Sequence, residues 1–245
     1  MTKIYAHRGS RGTHPENTLA AFKEAIRVGA DGIELDVHLS QDGQVVVIHD
    51  ETVDRTTNGE GFIKDLTLEQ LKGFSAGLWF DSKYEDEKIP LLKEVFQLLL
   101  DNDFTGDLNI ELKTDQIVYE GLVQKCIDLQ KEYDPSFSII YSSFNPETLK
   151  EVKQVDNHQE VAFLFYADYG FEVDFGHTTI EGWHPSIELL EESIEKNQEK
   201  RPLRFWTVNS LSDMDRCLNH SVDTLMTDYP QTAISLRKSQ HLDDK

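Results

Sequence analysis

The stretch Ile33-Glu34-Leu35-Asp36-Val37-His38-Leu39 alternates residue by residue between apolar and polar side chains. A period of two marks a strand. Ile33, Leu35, Val37 and Leu39 share one face, and Glu34, Asp36 and His38 share the other. Leu108-Asn109-Ile110-Glu111-Leu112-Lys113 repeats the pattern, with Asn109, Glu111 and Lys113 on its polar face. Two architectures accept such strands. In an antiparallel sheet with one wet side, the polar face meets water. In a parallel barrel, the apolar set packs outward under helices and the polar set points into the lumen. Carboxylates placed there are costly unless something pairs with them.

Reading outward decides between the two. Ile4–Ala6, Val45–Ile48, Phe137–Tyr141, Val161–Phe165, Ile180–Gly182, Arg204–Val208 and Thr224–Met226 read as further strands. Asn17-Thr18 offers an N-cap for a helix whose apolar residues Leu19, Phe22, Ala25 and Ile26 have helical spacing, and Gly29 suits its C-terminus. Helical patterns recur over Leu91–Asn102, Ile117–Tyr133, Pro146–Val155, Pro185–Asn197, Leu211–Leu218 and after Pro230. Strands alternating with helices argue for a parallel α/β fold. The 245 residues match one TIM (β/α)8 barrel, which takes about 250. No G-x-G-x-x-G turn opens a βαβ unit, which weakens a dinucleotide-binding sheet. The expectation is therefore one α/β domain over residues 1–240, with a polar tail after Ser239 that frays. About sixty residues separate His49 from Leu108, more than an ordinary crossover needs. They predict a small insertion after the third strand, at about 51–105, lying over one end of the barrel.

Composition narrows the partners. Lys and Arg number 24 against 45 Asp and Glu, a net charge of −21. Such a chain is repelled by nucleic acid and by anionic membrane surfaces, so neither is an expected partner. Cys126 and Cys217 stand far apart, in no metal or redox spacing, and read as buried thiols. No apolar signal segment opens the sequence, and no apolar run nears the ~18 residues of a membrane span. The expectation is a cytoplasmic protein with a small-molecule partner.

Glu34, Asp36 and Glu111 converge from two strands, and oxygen ligands of that kind suit a hard divalent cation, Mg2+ or Ca2+, with Mn2+ also admitted. His7 ends the first strand and His49 the third. In a parallel barrel both ends lie on the C-terminal face, where barrel active sites sit. Two imidazoles beside a metal can act as base and acid at neutral pH. His158, His177, His220 and His241 read instead as structural or exposed. Arg8 can fork onto a phosphate and Lys113 adds a point charge, although both could equally pair with the carboxylates. Metal, phosphate clamp and two imidazoles describe phosphoryl-ester hydrolysis better than sugar chemistry, which needs two free carboxylates. No G-x-S-x-G elbow supports a serine hydrolase.

These residues carry a resemblance. Ala6-His7-Arg8-Gly9 followed by Pro15-Glu16-Asn17-Thr18, Gly29 through Val37, Asp42-Gly43 through His49-Asp50, and Asp54-Arg55-Thr56-Thr57 are similar to motifs of the glycerophosphodiester phosphodiesterase family. So are Asn109 through Lys113, Ser142-Ser143-Phe144, Trp206-Thr207-Val208-Asn209 and Thr227-Asp228-Tyr229-Pro230, all in family order. The chain departs from the family pattern at Phe205, before Trp206, and most of all around Asp168–Trp183. The resemblance implies a TIM barrel with an insertion after the third strand. It also implies metal-dependent hydrolysis of deacylated phospholipids to sn-glycerol 3-phosphate and an alcohol. It makes Glu34, Asp36 and Glu111 metal ligands and His7 and His49 the acid/base pair. Arg8 and Lys113 become phosphate contacts, and Trp206 lines the pocket. An aromatic wall of Trp79, Phe80, Phe144 and Trp206 would favour a choline head group, although Phe80 and Phe144 read first as core.

Two alternatives are carried forward. One is a lyase-type phospholipase D-like barrel acting on intact lipid, which secretion and disulfides would favour. The other is a non-catalytic phosphodiester-binding barrel, which would be expected to lose one of His7, His49, Glu34, Asp36 and Glu111. The residues set neither the ion nor an oligomeric state.

Overall fold

The computed structural model describes residues 1–243. In chain order the elements are β1 (Lys3–Ala6), α1 (Leu19–Val28), β2 (Gly32–Leu39), β3 (Val45–Val47), α2 (Leu68–Gly73), α3 (Leu92–Asp101), β4 (Asp107–Leu112), α4 (Leu122–Tyr133) and β5 (Ser138–Ser143). There follow α5 (Pro146–Val155), β6 (Glu160–Phe165), β7 (Gly182–Pro185), α6 (Leu190–Lys196), β8 (Arg204–Phe205), α7 (Leu211–Asn219), β9 (Thr224–Thr227) and α8 (Pro230–Asp243). The frayed tail expected after Ser239 falls partly on α8, which runs on to Asp243, and partly on residues 244–245, which lie outside the described residues.

The strands lie side by side in the order β7-β6-β5-β4-β2-β1-β9-β8, every neighbouring pair parallel. Parallel bridges from Trp183 to Leu203 and from Ser186 to Trp206 join β7 to β8 and nearly close the ring. The chain is a TIM barrel. As the alternation requires, Ile33, Leu35, Val37 and Leu39 face outward into the main core with Phe22 and Ala25 of α1. Glu34, Asp36 and His38 point inward and are buried. The helix α1 is capped by the Thr18 hydroxyl and ends at Gly29 in the left-handed region, as the sequence indicates.

Three expectations need correction. β3 is not a barrel strand, because it pairs antiparallel with β2 and lies off the ring. The strand expected at Ile180–Gly182 begins at Gly182 and runs through Pro185, so the following helix starts only at Leu190. The segment outside the strand–helix repeat is shorter than 51–105, since α3 buries Leu92, Val95, Phe96 and Leu99 in the main core as an ordinary barrel helix. Residues 48–91 have a small core of their own, built from Ile48, Val53, Ile63, Leu71, Ala76 and Ile89. β3 serves both cores: Val45 and Val47 face the barrel, and Val46 faces this segment.

The lumen is polar below the site as well. Tyr5 donates to Asp107 (2.5 Å), and Arg204 donates to Glu160 (2.6 Å). His184 is fully buried, 3.3 Å from Arg204 through Nε2, and its Nδ1 has no partner. Burial, and then the Arg204 charge, push this imidazole well below its ordinary value of 6.5. The unfolded chain therefore takes up a proton on His184 as the pH falls through 6.5 while the folded chain does not, and stability is lost below that pH. Replacing His184→Leu should flatten the acid limb of a stability–pH curve by up to ~1.4 kcal/mol per pH unit below pH 6.5. Urea melts across that range read this directly, and an unchanged slope would contradict it.

Candidate active site

The site is assembled at the C-terminal rim of the barrel. His7 follows the last residue of β1, and its N–H donates to the Thr227 carbonyl (3.0 Å). Arg8 (φ +53°) and Gly9 (φ +77°) then turn the chain through the left-handed region. A Cβ on Gly9 would lie 2.7 Å from Ala21, so the turn that follows His7 admits only glycine. The same turn lets the Arg8 N–H donate to Glu34 Oε2 (2.8 Å).

His49 arrives by a route the sequence did not reveal. Because β3 runs back along β2, pairing Val45 with Leu39 and Val47 with Val37, the chain descends toward Asp36, whose carbonyl accepts from the Ile48 N–H (3.1 Å). The hairpin thus returns His49 to the level of the carboxylates. His38 holds it there. Burial pushes His38 down to about 4, so its ring is neutral. The His49 carbonyl can only accept, so His38 Nε2 donates to it (3.0 Å) and Nδ1 accepts from the Tyr119 hydroxyl (3.0 Å).

Each of the two rim imidazoles has a carboxylate behind it. His7 Nδ1 lies 2.7 Å from Asp228 Oδ1, and His49 Nδ1 lies 2.7 Å from Asp50 Oδ1. In both rings Nε2 is the nitrogen left beside the candidate metal-site residues: that of His7 lies 4.0 Å from Glu34 Oε2 and that of His49 lies 3.5 Å from Lys113 Nζ. Burial, and then the charge of Arg8, hold His7 below its ordinary value, with Asp228 opposing. Sequence reasoning gave Asp50 and Asp228 no role. Their signals were the His49-Asp50 dipeptide and the Thr227-Asp228 motif.

Glu34, Asp36 and Glu111 each offer a carboxylate oxygen within 4.8 Å of the others. All three are buried. Burial and the neighbouring Asp36 and Glu111 charges raise Glu34 well above the usual carboxylate range, and burial likewise raises Glu111 against the pull of Lys113. Burial would raise Asp36 too, but His49, Arg8 and Lys113 outweigh it and hold its carboxyl low. Asp36 Oδ1 is buried without any partner, while Oδ2 accepts from Asn17 (2.8 Å). Three buried carboxylates, one with an orphaned oxygen and two raised first by burial and then by their neighbours' charge, form a donor set that fits a divalent cation.

Arg8 and Lys113 border the same cluster. Arg8 pairs with Glu16 (2.8 Å) and lies 3.4 Å from Asp36, and Lys113 donates to Glu111 (2.8 Å) and lies 3.5 Å from His49 Nε2. Both therefore make the ion pairs that the sequence left open. A cavity of about 140 Å3 joins His7, Arg8, Glu34, His49 and Glu111 to a wall of Phe144, Leu164 and Trp206. Phe144 is thus pocket wall rather than core, and it meets Trp206 edge-on at 5.5 Å. Trp79 and Phe80 do not line this cavity; they pack against one another and Tyr84 in the 48–91 segment. Phe205 faces the outer core with Ile4 and Leu225, so this departure from the family pattern leaves the pocket untouched. His158, His177 and His220 are exposed, as expected, and the His241 side chain lies outside the described residues.

With this geometry in place, comparison with known proteins is decisive. The sequence model of the Glycerophosphoryl diester phosphodiesterase family matches residues 7–232. The chain belongs to this family. It is similar to a glycerophosphodiester phosphodiesterase of Caldanaerobacter subterraneus subsp. tengcongensis, with 43% identity covering 96% of this chain and 97% of that protein. A Bacillus altitudinis protein of the same name is 37% identical over 97% of this chain and 99% of its own length. Among solved structures, an Oleispira antarctica phosphodiesterase in complex with the product sn-glycerol-3-phosphate superposes with a TM-score of 0.86 at 29% identity, covering 96% of each chain. A glycerophosphodiester phosphodiesterase from Agrobacterium tumefaciens gives 0.81 at 26% identity, covering 98% of this chain and 100% of that one. The chain is accordingly an enzyme of the phosphodiester hydrolase class.

The carboxylate cluster yields a binding prediction. A divalent cation should raise the melting temperature of chelator-treated protein, in proportion to about 2.7 kcal/mol at a concentration near 100 Kd. Glu111→Gln should abolish most of that shift. A scanning-fluorimetry series with Mg2+, Ca2+ and Mn2+ checks both, and an equal shift in the variant would place the cation elsewhere.

Proposed function

We propose that this enzyme hydrolyses glycerophosphodiesters to sn-glycerol 3-phosphate and a free alcohol, with a divalent cation held by Glu34, Asp36 and Glu111. His7 and His49 are the acid/base pair, Arg8 and Lys113 contact phosphate, and Trp206 lines the pocket. One observation carries the reading: two imidazoles, each backed by a carboxylate at 2.7 Å, share one cavity with Glu34 and Glu111 of the acidic cluster. The product held by the Oleispira antarctica relative supports the choice of substrate class.

When bound, a cation supplies Lewis-acid stabilisation of charge on the phosphoryl oxygens. The remaining chemistry belongs to the chain. Asp228 and Asp50 occupy the Nδ1 positions and fix which nitrogen of each ring faces the substrate. One Nε2 accepts the proton of the nucleophile, water or the glycerol hydroxyl beside the phosphate, as its oxygen bonds to phosphorus; where the hydroxyl attacks, water then opens the cyclic phosphate to sn-glycerol 3-phosphate. The other Nε2 donates a proton to the departing alkoxide as the second phosphorus–oxygen bond breaks. Arg8 and Lys113 balance the anion's charge beside the carboxylates. Phe144 and Trp206 supply an apolar wall to the cavity in which the substrate is held.

A cytoplasmic setting belongs to the same proposal. Its support is that Cys126 and Cys217 are both free and buried, and that no helix among the described residues is long and apolar enough to cross a membrane. The −21 charge supports a small-molecule partner rather than nucleic acid.

The test is release of sn-glycerol 3-phosphate from glycerophosphocholine, followed with a coupled assay. Wild-type protein should turn over with a divalent cation and stop with a chelator. His7→Ala and His49→Ala should each lower kcat by ~10²–10⁴-fold. Near-wild-type turnover in both variants would overturn the assignment. Turnover of intact phosphatidylcholine vesicles in place of the deacylated substrate would favour the lyase-type alternative.

A further inference from the structure

Glu16 takes no part in the chemistry proposed above, yet its side chain is only 1% exposed and stands where three guanidiniums meet. Oε1 accepts from Arg8 (2.8 Å) and from Arg55 (2.7 Å). Oε2 accepts from Arg11 (2.8 Å) and again from Arg55 (3.0 Å). Arg11 and Arg55 then repeat one another's role. Arg11 Nη1 donates to Asp228 Oδ2 (2.9 Å), whose other oxygen lies on His7 Nδ1. Arg55 Nε donates to Asp50 Oδ2 (2.7 Å), and Asp50 Oδ1 lies on His49 Nδ1. Two chains of the same composition, arginine then aspartate then histidine, run from one carboxylate to the two imidazoles.

From this symmetry we infer that Glu16 is a positioning residue for both histidines, the shared anion of one ionic frame that sets the two imidazoles relative to each other. The inference rests on the acid/base reading of His7 and His49.

The electrostatics require such an anion. Three guanidiniums converging on one buried point repel one another, and Glu16, Asp50 and Asp228 supply three carboxylates against them. Burial would raise Glu16, but Arg55 and Arg8 hold it down at about 2, so the hub is ionised at any working pH. Exposed ion pairs are ordinarily worth little, and the Arg11 and Arg55 side chains are 33% and 41% exposed. Here both guanidiniums are pinned at two points, one on Glu16 and one on an aspartate, which restricts each to one orientation. Without Glu16 each arginine keeps only its aspartate; Asp50 is then free to turn with Arg55, whereas Asp228 still accepts from Asn209 (2.9 Å) and loosens less. Arg8 is anchored independently by its backbone N–H on Glu34 and by Asp36, so substrate binding depends on Glu16 less than turnover does. The three sequence stretches involved, around Glu16, Arg55 and Asp228, thereby acquire one common purpose.

The experiment is a double-mutant cycle on the full chain, with glycerophosphocholine as substrate and thermal melts as a control for folding. Glu16→Gln should lower kcat roughly ten- to hundredfold while KM moves less than about threefold. Glu16→Asp keeps the charge and should lose less. In an Asp50→Asn/Asp228→Asn background, Glu16→Gln should cost less than about twofold more, because its route to the histidines is already cut. A kcat within about twofold of wild type in both Glu16 variants would overturn the inference. So would the same fold-loss in both backgrounds, which is the signature of a hub that only holds loops together. Absence of turnover in the wild-type enzyme itself would count against the proposed function instead, so the two failures are distinguishable.

Discussion

Three carboxylates packed into one buried patch repel one another, and everything around Glu34, Asp36 and Glu111 answers that repulsion. Burial alone makes a carboxylate costly, and a second and third charge within a few ångströms raise the cost further. The chain offsets it partly with its own cations: the Arg8 side chain beside Asp36, the Lys113 ammonium on Glu111, and the Arg8 N–H on Glu34. The offset is incomplete, since Glu34 and Glu111 stay raised and one oxygen of Asp36 has no partner. A site left short of positive charge in this way suits both a cation and a phosphodiester bound to it, in a chain whose overall charge would otherwise repel an anion.

The barrel makes this affordable. Its outer face carries two apolar cores between strands and helices, so the lumen is free to carry polar groups. Below the site those groups pair with each other, as Tyr5 does with Asp107 and Arg204 with Glu160. At the rim they are turned toward the cavity. Around the rim runs a second layer of charge, in which carboxylates hold imidazoles and arginines hold carboxylates. On the proposed function, the inner layer binds and the outer layer orients.

Much of this was legible in the sequence, for a physical reason. A strand's period of two is a local property, so which residues of Ile33–Leu39 and Leu108–Lys113 face the lumen follows from the sequence alone. Helix caps such as Thr18 and Gly29 are local as well. The direction of β3 is not. Val45–Val47 is short and apolar on both faces because it serves two cores, and nothing local says that it runs antiparallel. A parallel third strand would bring His49 to the rim at its C-terminal end; the antiparallel hairpin brings it there instead by running back along β2. Phe144 looked like core because aromatic residues usually are, and only the cavity beside Trp206 shows otherwise. The parts of Glu16, Arg55, Asp50 and Asp228 were hidden because their partners lie far apart in the chain. Each stands in a family motif, yet nothing local shows that their side chains meet.

On the proposed function, the inward carboxylates of β2 and β4 hold one divalent cation. Anomalous diffraction from crystals soaked in Mn2+ tests it most directly. The account predicts a single strong peak with oxygens of Glu34, Asp36 and Glu111 all within about 2.0–2.6 Å of it. At saturating ion, a peak held by other residues, or an empty cluster with Lys113 still paired to Glu111, would contradict it.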